Sequence, residues 1–103
     1  MRKIARIDSN QSEIVEALRG VGCSVISLAQ HGNGLPDLLV GIPYGRINTE
    51  VGKVGYYGVN LLMEVKTLRG KHTPEQKLFF ETWPAPNVTV KSIDEALQAI
   101  GVA

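Results

Sequence analysis

A chain of 103 residues is long enough for one compact domain, expected over 1–103, and too short for two. Its 44% hydrophobic content is that of an ordinary globular protein, and a formal net charge of +1 excludes polyanion binding driven by overall charge, leaving it to local clusters. Cys23 is the only cysteine, which excludes an internal disulfide framework and fits a reducing cytoplasm; neither a signal peptide nor a membrane-spanning run is expected.

The first helix is expected to start near Asp8 to Asn10, a run of N-cap residue types. Its apolar positions Ile14, Val15, Leu18 and Val21 recur at helical spacing, and Gly20 and Gly22 end it. The apolar stripe centres between Ile14 and Leu18, with Glu13 at its flank and Glu16 nearly opposite. Glu13 can therefore look over the edge of a sheet, or close a capping box with Asn10. Ser24 to Leu28 reads as a strand, and Gln30 to Gly34 as a loop carrying His31. Leu35 to Ile42 is the second strand, with Pro36 at its opening, where a missing N–H is tolerated. From Pro43 to Gly58 the chain is glycine-rich with little periodicity, which predicts a long mobile connection or an irregular hairpin tip. Val59 to Thr67 is the third strand, and its near-continuous apolar run suggests a central place in a sheet.

Arg69-Gly70-Lys71-His72 is a basic turn. A second helix follows, with Thr73 as N-cap, Pro74 at the first helical position and Gln76 three residues after the cap. It carries Leu78, Phe79, Phe80 and Trp83 and stops before Pro84 and Pro86. Val88 to Lys91 is a short last strand. Ser92 with Glu95 forms another capping box, opening a helix with Ile93, Ala96, Leu97 and Ile100 on one side. The order α-β-β-β-α-β-α implies an α/β domain with a mixed four-stranded sheet flanked by helices.

In the third strand Glu64 and Lys66 share a face with Leu62. Antiparallel pairing of the second and third strands about a midpoint near Gly52 puts Asp37 opposite about Lys66, and so near Glu64. Two carboxylates that close repel unless a cation lies between them, and a hard divalent ion such as Mg²⁺ suits oxygen ligands. Such an ion polarises a phosphate and lowers the pKa of water, while Lys66 can hold that water, stabilise charge on phosphate oxygens, or act as a base. An Asp at a strand start is more often a turn residue, and a Glu-x-Lys pair is more often an exposed ion pair worth little. Against that bland reading, this pair sits within Leu61-Leu62-Met63 and Val65, where a charge needs a partner or a purpose.

Glu13, Pro36-Asp37 and Glu64-Val65-Lys66, in this order, resemble the PD-(D/E)XK nuclease superfamily. Within it the chain is most similar to the small VRR-NUC and Holliday-junction resolvase-like nucleases of phages. The match extends through Gly34-Leu35-Pro36-Asp37-Leu38-Leu39-Val40, Leu62-Met63-Glu64-Val65-Lys66, Lys71-His72-Thr73-Pro74 with Gln76, and Ser92-Ile93-Asp94-Glu95-Ala96-Leu97. The resemblance implies a restriction-endonuclease-like core, Mg²⁺ or Mn²⁺ dependence, and cleavage of DNA phosphodiesters in replication, recombination or repair, with branched DNA such as junctions or flaps as substrate. It carries over Glu13, Asp37 and Glu64 as metal ligands with the Val65 carbonyl beside them, and Lys66 as the catalytic lysine. Gln76 resembles a glutamine near the site in many relatives; its other reading is a helix cap. The Pro43 to Gly58 connection is long for this family.

Arg69, Lys71 and His72 follow the third strand at the end suited to a DNA backbone. Arg46 and Lys53 stand among Tyr44, Tyr56 and Tyr57, a basic and aromatic mix that can track a strand or a branch point, or simply be solvated. Cores of this kind often form two-fold dimers, and the last helix and Trp83 are either interface or core. The competing expectations are a non-catalytic DNA-binding or protein-interaction module on the same fold, and an unrelated α/β interaction protein.

Overall fold

The computed structural model describes residues 10–32, 34–48 and 54–102. Its elements run α1 (Gln11–Gly20), β1 (Ser24–Ser27), β2 (Leu38–Asn48), β3 (Val54–Val65), α2 (Pro74–Thr82), β4 (Asn87–Val90) and α3 (Ile93–Ala99). The strands form one sheet in the order β1-β2-β3-β4. The pairs β1–β2 and β2–β3 are antiparallel, and β3–β4 is parallel, as a strand-helix-strand crossover through α2 requires. The α/β layout with a mixed four-stranded sheet is as expected. No helix among the described residues is long and apolar enough to cross a membrane.

Strand alternation divides the sheet into two unlike faces. One bears Val25, Leu38, Val40, Ile42, Leu61, Met63, Val65 and Val90, packed under Ile14 and Leu18 of α1 and Ala96 of α3, with Cys23 and Ile100 in the same core. Leu38 and Met63 are wholly buried there, each contributing about 1.5–3 kcal/mol by the area it removes from water. The last helix is thus core. The opposite face bears Ile26, Leu39, Leu62, Glu64 and Thr89, and α2 with the turn before it reaches this face at Glu64 and Thr89. Side-chain bonds hold α2 there, from Gln76 to Glu64, His72 to Thr89 and Asn87 to the Trp83 carbonyl. No residue of α2 is fully buried, and Leu78 and Trp83 are exposed.

Local chemistry explains most boundaries. Thr73 and Gln76 make the full capping box, Pro74 opens α2, and Trp83 is extended (φ −82°, ψ 113°) because Pro84 follows it. The Ser92 box is half made. Ser92 accepts from the Glu95 amide, but Glu95 turns to the Lys91 amide instead of the cap's own.

The largest departure is the connection from Pro43 to Gly58, which is strand over most of its length. β2 and β3 run through it, and only 49–53 lie outside the described residues. Ile47, Val54, Tyr56 and Tyr57 are strong strand formers, and a register shift between Pro43 and Gly45 absorbs the irregularity that the glycines and proline announce. A Cβ on Gly58 would lie 2.1 Å from the Ile42 carbonyl oxygen, so the strands approach there as only glycine allows. The second strand begins at Leu38, three residues later than expected, which leaves Asp37 at its mouth.

Candidate active site

The β2–β3 ladder pairs Leu38 with Met63, so Asp37, one step beyond, comes beside Glu64 and not opposite Lys66. The shift follows from Asn48 pairing with Val54, a centre one residue before Gly52, and from the extra residue that β2 carries between Pro43 and Gly45. Asp37 Oδ2 accepts from the Val65 amide at 2.7 Å, and the carboxylate thereby extends the ladder by one bond. N–H and C=O of one strand residue leave on the same side, so the Val65 carbonyl shares the Asp37 side of β3. Lys66 alternates to the other side and donates its amide to the Val90 carbonyl at 2.9 Å.

Glu64 is 1% exposed and Asp37 6%, so two acidic side chains are buried at one sheet end. Lys66 Nζ lies 3.2 Å from Glu64 Oε2, and Gln76 Nε2 donates to the same oxygen at 2.9 Å. Glu64 Oε1 is buried with no hydrogen-bond partner. Burial first, and then the charge of Asp37, push the Glu64 carboxyl up to about 7, with the Lys66 ammonium pulling the other way. Asp37, Glu64 with its unpartnered oxygen, and the Val65 carbonyl are the oxygen donors that could hold a hard cation here, with Lys66 beside them as a competing cation.

The approach to Asp37 is fixed by Gly34. Its φ is +81°, and a Cβ there would lie 2.8 Å from the Glu75 carbonyl oxygen in the first turn of α2. The Thr67–Gly70 turn closes the other flank, with Gly70 seated on the aliphatic stem of Lys66. Gln76 serves two purposes that sequence treats as alternatives. Its Oε1 accepts from the Thr73 amide at 2.9 Å while its Nε2 holds Glu64, so the cap of α2 and the carboxylate are tied through one side chain.

Glu13 is not part of this arrangement. It is exposed in the first turn of α1, and the described residues contain no cluster of three or more His, Cys, Asp or Glu that could hold a metal. The helical wheel fixes Glu13 relative to its own helix, but not where that helix ends relative to the carboxylates. The capping box with Asn10 is absent as well, because the Asn10 side chain makes no cap bond. Asn10 Nδ2 donates instead to the Lys66 carbonyl at 3.2 Å and the Lys91 carbonyl at 3.0 Å, tethering the ends of β3 and β4 beside the site. Sequence reading missed this tether, since an asparagine before a helix reads as a cap.

Among the basic residues, Arg69 and Lys71 are exposed next to the site. His72 is half-buried, bonded to Thr89 Oγ1 at 2.8 Å and stacked on Phe80 at 5.1 Å. Burial, and then the charges of Lys66 and Lys91, lower its pKa, so it packs as a neutral ring that anchors α2. Arg46 pairs with Tyr56 in the ladder, its side chain outside the described atoms, and Lys53 lies outside the described residues. Compared with known protein families, curated proteins and solved structures, the chain matches none.

Proposed function

We propose that this chain is a metal-dependent endodeoxyribonuclease of the PD-(D/E)XK type, hydrolysing phosphodiesters in duplex or branched DNA. The observation that carries the reading is the buried Asp37–Glu64 pair with Lys66 on Glu64 and one carboxylate oxygen unpartnered. Asp37, Glu64 and the Val65 carbonyl would hold the cation. When bound, Mg²⁺ or Mn²⁺ supplies charge neutralisation at the scissile phosphate and makes water there more acidic.

The chain's own groups supply the rest. Lys66 is 13% exposed, so its ammonium can reach a phosphate oxygen or an attacking water while its stem stays packed. Gln76 holds Glu64 in place and leaves Oε1 free to ligate. Arg69 and Lys71 offer phosphate contacts beside the site. A two-fold dimer would present two sites to two strands. Cys23, buried and unpaired, suits a cytoplasmic protein. The second reading, a non-catalytic DNA-binding module, is favoured by the position of Glu13, which leaves two carboxylates where the resemblance implies three.

The test is incubation with labelled duplex, single-stranded, flap and four-way-junction DNA, in Mg²⁺, in Mn²⁺ and with chelator. Metal-dependent cleavage of at least one substrate is expected, abolished by Asp37→Asn. Binding without cleavage in either metal would favour the second reading.

A further inference from the structure

β2 and β3 continue past the sheet that supports them. β1 stops pairing at Ser24↔Gly41, and β4 pairs only from Leu62 onward. Beyond that point a two-stranded arm remains, from Ile42↔Val59 to Asn48↔Val54. The molecule is 49 Å long against 27 and 25 Å across, and its radius of gyration of 15.0 Å exceeds the roughly 13 Å of a compact chain this size. An isolated two-stranded ribbon is marginal in water, which points to an external partner.

Three observations select that partner. Strand addition is blunted at the root, where Pro43 lacks a donor and the register shifts between Pro43 and Gly45. In sequence the arm carries Arg46 and Lys53 against one acid, Glu50, with Asn48, Tyr44, Tyr56 and Tyr57 along it, a slightly basic and polar composition suited to phosphate contacts. At the arm's base a groove of about 530 Å³ is lined by Gly22, Ser24, Gly41, Pro43, Gly58 and Asn60 among others. By strand alternation Ser24, Gly41 and Asn60 lie on the sheet face that bears Glu64.

The reach is also specific. Nine ladder steps separate Leu38↔Met63, next to the carboxylates, from Asn48↔Val54, with β2 carrying one extra residue between Pro43 and Gly45. At about 3.3 Å per residue this is roughly 30 Å, a little under one turn of B-form DNA. A two-stranded ribbon also fits the major groove. Resting on the proposed nuclease function, we infer that the arm grips duplex DNA about one helical turn from the phosphate held at Asp37 and Glu64, so the substrate must carry a double-stranded flank of that length.

The experiment compares duplexes with flanks of about 6 and about 16 base pairs beside the cut, lengths that fall short of and exceed one turn. Wild type is compared with the Arg46→Ala/Tyr56→Ala double variant and with a chain in which Asn-Gly replaces 44–57. Wild type should cleave the long-flank substrate roughly tenfold more efficiently, and the ratio should fall towards one in both variants. A wild-type ratio near one, or a ratio kept by the double variant, would overturn the inference while leaving the nuclease reading intact. If wild type cleaves neither duplex, the nuclease reading is decided by the flap and junction substrates. Equilibrium binding of the same duplexes without metal then decides the arm separately. Tighter binding of the long duplex that the double variant loses supports it, and equal binding of both overturns it. Arg46→Ala alone should reduce the salt slope of binding by about one.

Discussion

At the scale of single residues, the unusual feature is a glutamate that the metal-free fold prefers protonated. Burial and the charge of Asp37 raise the Glu64 carboxyl from an ordinary 4.5 to about 7. A group whose pKa rises on folding contributes stability that is complete below its unfolded pKa and lost as pH climbs through its folded one. The metal-free protein should therefore lose stability between about pH 4.5 and about 7 on account of Glu64. His72 acts in the opposite sense, since its lowered pKa favours the fold above its ordinary 6.5. The readout is thus the difference between wild type and Glu64→Gln in thermal melts across that window. The wild-type melting temperature should fall relative to the variant as pH rises, and Mg²⁺ should restore it by favouring the ionised carboxylate. Parallel melting curves for the two proteins would show that Glu64 does not titrate in this range.

The sequence showed which residue types could carry the chemistry, but not all of their geometry. Glu64 and Lys66 sharing a face follows from strand alternation alone. The bond from the Val65 amide to Asp37 depends on a register that a glycine-rich hairpin hides, and a one-residue error in its midpoint, together with the bulge between Pro43 and Gly45, moves the partner by two residues. Gln76 was legible as a cap because a capping box is local. Its bond to Glu64 spans two elements, and only the family resemblance, not the local pattern, placed it near the site.

At the scale of elements, the site is a junction of β2, β3 and α2. The helix contributes no fully buried residue, and its position rests on side-chain bonds and on the close approach of Gly34 to Glu75. Gly34→Ala would meet both a φ of +81° and a Cβ 2.8 Å from the Glu75 carbonyl oxygen. It should cost about 1–3 kcal/mol in chemical denaturation, and weaken metal binding because α2 carries the Gln76 that supports Glu64. A variant with wild-type stability and wild-type metal affinity would show that the loop and helix are not coupled. Helices and strands with clear periods were found where sequence placed them. Those marked by glycine and proline were not, because the same residues that break a strand also permit the bulge and close approach that continue it here.

At the scale of the whole molecule, the chain divides its sheet into one sealed apolar face and one partly open face that bears Glu64. α1 and α3 seal the first; α2 covers part of the second and leaves Ile26 59% exposed towards the β1 edge. The acidic pair closes one end of this face, and the arm extends from the other. Composition gave no sign of that polarity, since a net charge of +1 averages over a basic turn, a slightly basic arm and a buried acidic pair. The nuclease account requires these parts to converge on one reaction, in which Lys66 acts on the phosphate or the water and the carboxylates hold the cation. The direct test is the single-turnover rate of DNA cleavage in Mg²⁺ for wild type and Lys66→Met, with Mn²⁺ affinity measured on both. A rate loss of roughly 10²–10⁴-fold with metal binding retained is expected. Cleavage by Lys66→Met at the wild-type rate would contradict it.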